Sequence, residues 1–96
     1  MAGYVIADDG PVTDQAGIDE YRAKVGATIA QYGGRFLVRG GETQSLEGGW
    51  QPERMAVIQF ESAARAHEWY DSAEYVPLRE LRQRSSGCKL IIVDGV

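Results

Sequence analysis

Three stretches of this chain place four apolar residues in succession: Tyr4-Val5-Ile6-Ala7, Met55-Ala56-Val57-Ile58 and Leu90-Ile91-Ile92-Val93. Each is short and bounded by turn-forming or polar residues, which reads as a β-strand. An antiparallel strand with one wet face alternates apolar and polar residues, and these do not. The sheet they build must therefore be covered on both sides, and that requirement limits the folds open to so short a chain.

The segments between the strands supply one cover. Ile18, Tyr21, Val25, Ile29 and Tyr32 recur at helical spacing and form one face of an amphipathic helix. Thr13 or Asp14 serves as its N-cap, and Gly33-Gly34 ends it. Arg35 to Arg39 is a further strand, stopped by Gly40-Gly41, and a loop through Gly48, Gly49 and Pro52 leads to the strand at Met55–Phe60. Ser62 caps a second helix through Ala63, Ala66, Trp69 and Tyr70. Asp71-Ser72 interrupts it, and Tyr75, Leu78 and Leu81 mark further helical turns before Gly87.

The order is β-α-β-β-α-β, an α+β ferredoxin-like arrangement with a four-stranded antiparallel sheet. Right-handed crossovers put both helical segments on one side of that sheet. The apolar residues on the other side need a different cover, and each one hidden contributes about 1.5–3 kcal/mol. A second copy of the chain is the simplest cover, so the pattern predicts a homodimer through the open sheet face.

Ninety-six residues fit one domain spanning 1–96, and 44% apolar with 25% charged residues is the composition of a folded chain. A net charge of −4 without clustered basic residues argues against nucleic acid as a partner. No apolar run reaches membrane-spanning length and no secretory signal opens the chain, so the expectation is a cytoplasmic protein without a membrane partner. Cys88 is the one cysteine and reads as a small hydrophobe at a strand start, with no second thiol for a redox or zinc motif. There is no metal-spaced His/Cys/carboxylate cluster, no Ser-His-Asp set and no phosphate loop, because Gly33-Gly34, Gly40-Gly41 and Gly48-Gly49 read as turns. No metal or other cofactor is expected.

Two stretches carry a family resemblance. One runs Tyr32-Gly33-Gly34-Arg35-Phe36-Leu37-Val38-Arg39-Gly40-Gly41, then Leu46-Glu47-Gly48, Trp50 and Pro52-Glu53-Arg54. The other runs Val57-Ile58-Gln59-Phe60, then Ala66, Trp69-Tyr70-Asp71-Ser72, Tyr75 and Arg79 to Arg82. Together they resemble the domain-of-unknown-function family thirteen-thirty, within the dimeric α/β-barrel superfamily. The resemblance implies a ferredoxin-like protomer whose sheet pairs with a second copy. That superfamily includes cofactor-independent monooxygenases, lactone isomerases, polyketide cyclases and haem enzymes, so the fold does not choose the function.

Within such a fold a small-molecule pocket is expected between helices and sheet, which directs attention to polar side chains on apolar surfaces. Arg39, expected to share a strand face with Arg35 and Leu37, offers a guanidinium for a carboxylate or enolate. Its simpler alternative is an ion pair with Glu42 or Glu53. Arg54 is a pocket cation or part of a dimer ion pair. Tyr70 and Tyr75 are, with Arg39, the catalytic candidates, since a phenol serves as hydrogen-bond donor or acid. Trp69, Asp71 and Ser72 join Arg54 as substrate-binding candidates, although Trp69 also fits the core and Asp71-Ser72 a helix end and cap. Arg79, Arg82 and Arg84 read as a solvated face, and His67 as a surface histidine rather than a haem ligand. The functional expectation is a small-molecule-binding dimer, in its sharpest form a cofactor-independent oxygenase, isomerase or cyclase acting on a small anionic or polyketide-like substrate. The alternative is a non-catalytic ligand-binding or structural homodimer.

Overall fold

The computed structural model describes residues 1–96. Its elements run β1 (Gly3–Asp8), α1 (Gln15–Gln31), β2 (Arg35–Arg39), β3 (Met55–Phe60), α2 (Ala63–Tyr70), α3 (Val76–Ser85) and β4 (Lys89–Asp94). The strands form one antiparallel sheet in the order β2-β3-β1-β4, the ferredoxin-like order expected from the sequence.

Local chemistry sets the boundaries. Of the two candidate N-caps for α1, Asp14 does the work: its carboxylate accepts the Gly17 N–H at 3.2 Å. The helix ends where Gly33 takes a φ of +77°, and the Gly33 and Gly34 N–H groups return to the Ala30 and Ile29 carbonyls. Ser62 caps α2 through the Arg65 N–H at 3.1 Å. The break at Asp71-Ser72 separates α2 from a full third helix, whose Pro77 sits in its first turn, where a missing N–H costs nothing.

Register fixes the two sheet faces. Val5 lies opposite Ile58 and Ile92, and these point at the helices with Ala7, Ala56, Phe60 and Leu90. Val5, Ala7, Ile58 and Phe60 of this face make the core with Ile18, Ile29, Trp69 and Tyr75, and Leu90 and Ile92 pack against it half-buried. Ile6 lies opposite Val57 and Ile91 on the face that no helix covers.

One strand departs from simple alternation. Phe36 pairs with Ile58, yet Val38 pairs with the adjacent Val57, so Leu37 is an inserted residue, a β-bulge. The bulge returns Arg39 to the helix side, opposite Ala56 and in phase with Phe36. The expectation that Arg39 shares a face with Arg35 and Leu37 is thereby corrected.

The long connection from Arg39 to Met55 is clamped at its base. The Gly40 N–H donates to the Met55 carbonyl at 2.7 Å, and the Asp9 N–H to the Arg54 carbonyl at 3.0 Å. Asp8 completes the clamp, its Oδ1 accepting N–H groups of Gly10, Glu53 and Arg54 at 3.0, 3.1 and 3.3 Å. Burial alone would raise the Asp8 pKa, but these three backbone donors outweigh it and hold the carboxyl below its ordinary value. A carboxylate whose pKa falls on folding stabilises fully above its unfolded pKa, about 4, and loses that contribution as pH drops through the folded value. Asp8→Asn should therefore flatten the loss of stability below about pH 4 in urea unfolding curves; parallel acid limbs for the two proteins would refute the assignment.

Candidate functional site

Between helices and sheet lies a cavity of about 40 Å³. One wall is apolar, formed by Val25, Phe36, Ile58, Leu90 and the indole of Trp69. The other carries Asp9, Tyr21 and four arginines, Arg22, Arg39, Arg54 and Arg82.

Asp9 organises the polar wall. It follows β1 directly, and Gly10, at φ +65°, turns the chain where a side chain would run into the Gly87 carbonyl. Asp9 is thus tucked inward and is 8% exposed. Its Oδ2 accepts from Arg22 at 2.8 Å, and its Oδ1 accepts from Arg82 at 3.4 Å. Arg54 adds an ion pair to Oδ2 at 3.6 Å. Arg39 has no carboxylate partner: it lies over the Phe36 ring at 4.3 Å and donates to the Arg22 carbonyl at 3.1 Å. Four guanidinium groups against one carboxylate leave three positive charges uncompensated around the cavity.

The arginines are graded in depth. Arg82 is the deep one, its side chain 5% exposed, whereas Arg22 and Arg54 are about a third exposed and Arg39 lies at the rim. Tyr21 lines the same wall and its hydroxyl is 2.9 Å from that of Tyr75. Burial pushes both phenols above their ordinary pKa, so at neutral pH they are hydrogen-bonding groups and not bases.

Three of the sequence candidates meet at this cavity: Arg39, Arg54 and Trp69. Tyr75 stands behind it, fully buried and stacked on Trp69 with 3.9 Å between ring centroids, so the space beneath Trp69 is filled by a side chain. Tyr70 lies outside, under the Arg79 guanidinium at 4.6 Å. Asp71 is exposed and paired with Arg79 at 3.2 Å. Ser72 donates to the Trp69 carbonyl at 2.7 Å and accepts the Tyr75 N–H at 3.1 Å, a local cap.

Asp9, Tyr21, Arg22 and Arg82 were not among the candidates. Asp8-Asp9-Gly10-Pro11 reads as the turn that ends the first strand, and Asp9 does sit at that turn with its carboxylate directed inward. Arg82 reads as part of a solvated face, and the structure corrects that. A signal existed for Arg82, because Leu78, Leu81, Arg82 and Ser85 form one buried stripe at helical spacing. Arg84 is exposed as expected, and so is His67. No three His, Cys, Asp or Glu side chains come together as a metal site.

The sheet order and the helices on one side define an α+β protein of ferredoxin-like fold. A protein of unknown function from Rhodopseudomonas palustris superposes with a TM-score of 0.75 at 14% identity, over 99% of this chain and 82% of that one. An ethyl tert-butyl ether (EthD) family protein from Bacillus halodurans superposes at 0.64 and 14% identity, over the whole of both chains. An antibiotic biosynthesis monooxygenase superposes at 0.54 and 12% identity, over 100% and 99%. No curated protein sequence matches the chain. Residues 2–96 match the family described as Domain of unknown function (DUF1330), and the chain belongs to that family.

Proposed function

We propose that this protein binds a small organic anion in the arginine-lined cavity. The excess of guanidinium over carboxylate carries this reading: three uncompensated cations beside an apolar wall suit a ligand with an anionic head and a carbon body. A cavity of about 40 Å³ has room for about three water-sized groups, enough for a carboxylate or enolate and not for a whole polyketide-like molecule. In this reading Arg54 and Trp69 are binding residues, and Arg39, a catalytic candidate from the sequence, is assigned to binding the anionic oxygen. Arg82, Arg22 and Tyr21 join them as binding groups, while Tyr70, Asp71, Ser72 and Tyr75 have no part in this reading.

Trp69 reports on the cavity once Trp50, the other tryptophan, is replaced by phenylalanine. In that background octanoate should alter the Trp69 emission at concentrations where the neutral octanamide does not. Arg82→Met should weaken octanoate by about ten- to a hundredfold, the worth of a hydrogen bond to a charged group. Equal affinity for acid and amide would dispose of the proposal.

A catalytic reading has one observation in its favour: Asp9 is the only carboxylate on the cavity wall, so it is the group placed to take a proton from a bound acid. Three guanidinium groups already engage it, which ranks this reading second. Exchange of the α-protons of bound phenylacetate in D₂O, followed by NMR and lost in Asp9→Asn, would support catalysis. Absence of exchange in the unaltered protein would leave the binding role alone.

A second copy of the chain completes the proposal. Val38, Ile91 and Val93 are 40%, 58% and 42% exposed on the uncovered sheet face, with Ile6 and Val57 between them. A twofold pair would bury this surface.

A further inference from the structure

Helix α1 contains two interior glycines with different surroundings. A side chain at Gly17 would strike the Ser85 hydroxyl, so close packing of α1 on α3 accounts for that glycine. Gly26 has no such reason, since the nearest atom to a Cβ placed there is Nη1 of Arg39, at 3.9 Å. Its φ is not positive either, so no turn requires it. A glycine inside a helix is less stable than alanine, and nothing in the packing offsets that here.

Gly26 lies one helical turn beyond Arg22 and next to Val25, both of which line the cavity. The one side chain within 4 Å of a Cβ placed there is that of Arg39, the rim arginine, at an ordinary contact distance that leaves an alanine unhindered. The cavity itself accepts an anionic head and no more, so a longer ligand must leave it at the rim. We propose that Gly26 keeps open the passage over Arg39 by which a ligand's carbon chain leaves the cavity, and that the ligand class is an organic acid with an extended apolar tail. This rests on the anion-binding reading and goes further, since a compact anion needs no passage.

The test compares propionate with octanoate on the unaltered chain, Gly26→Ala and Gly26→Leu, all carrying Trp50→Phe. Octanoate should bind the unaltered chain at least tenfold tighter than propionate, because its added methylenes leave past Val25 and Phe36, the apolar lining residues beside Gly26 and beneath Arg39. Gly26→Leu should lose octanoate at least tenfold while keeping propionate within twofold. Gly26→Ala should unfold at a higher temperature than the glycine form, which shows that the fold does not need the glycine. Equal affinities for the two acids in the unaltered chain would overturn the passage and leave anion binding standing. So would a Gly26→Leu protein that binds octanoate normally or loses both acids alike. Failure of both acids to bind the unaltered chain would remove both proposals together.

Discussion

Asp9→Ala should be the most destabilising single change at the cavity, costing about 3–5 kcal/mol in urea unfolding, the range for breaking a buried ion pair from one side. The deletion strands Arg82, whose side chain is 5% exposed and has no other carboxylate, and leaves Arg22 and Arg54 repelling it across the cavity. Against a total stability of about 5–15 kcal/mol for a domain, that loss brings the protein close to unfolding at ambient temperature. Asp9→Asn should cost less, because the amide oxygen still accepts one hydrogen bond. A saturating carboxylate such as acetate should raise the melting temperature of Asp9→Ala more than that of the unaltered protein, by replacing the missing anion. An alanine variant with unchanged stability would show that the arginines do not depend on Asp9.

The second large effect separates the two sheet faces with neighbouring residues. Ile92 lies opposite Val5 under the helices, while Ile91 lies opposite Ile6 on the open face. Ile92→Asp places an unpaired charge at a partly buried site packed against the core and should strongly destabilise the protomer, read as a lowered midpoint of the far-ultraviolet helix signal in urea. Ile91→Asp places its charge at a site 58% exposed in the protomer, so the protomer should fold. If a second copy covers that face, light scattering should give twice the 10.5 kDa chain mass for the unaltered protein and the single mass for Ile91→Asp. A well-behaved monomer before any substitution would end the dimer proposal.

The fold was legible in the sequence because its signals are local. Strand β2 begins and ends where the residues between Gly34 and Gly40 predict, and the apolar spacing from Ile18 to Tyr32 marks the core side of α1. The site was legible only in part, because its residues meet by tertiary packing. Asp9 and Arg82 are 73 positions apart, and nothing in a turn cluster or a basic helix announces that the two will be buried together. Arg39 does line the cavity but from the strand face opposite to the one its spacing predicts, since the bulge at Leu37 leaves no mark in an apolar run. The aromatic cluster misled in the opposite direction. Tyr70, Asp71, Ser72 and Tyr75 are dense in chemistry as text, yet in space they are spent on a helix cap, an ion pair and a ring stack.

The clamp at the base of the long connection has an evolutionary consequence. Arg39 precedes the clamp and Arg54 is part of it, and the hydrogen bonds of Gly40, Asp9 and the Asp8 carboxylate fix both ends independently of what lies between. Doubling the length of a flexible loop costs only about 0.6 kcal/mol in closure entropy. Residues 41–52 can therefore lengthen, shorten or change composition without displacing either arginine. The segment is a natural graft point, where new contacts can be tried while the charge pattern of the cavity is inherited intact.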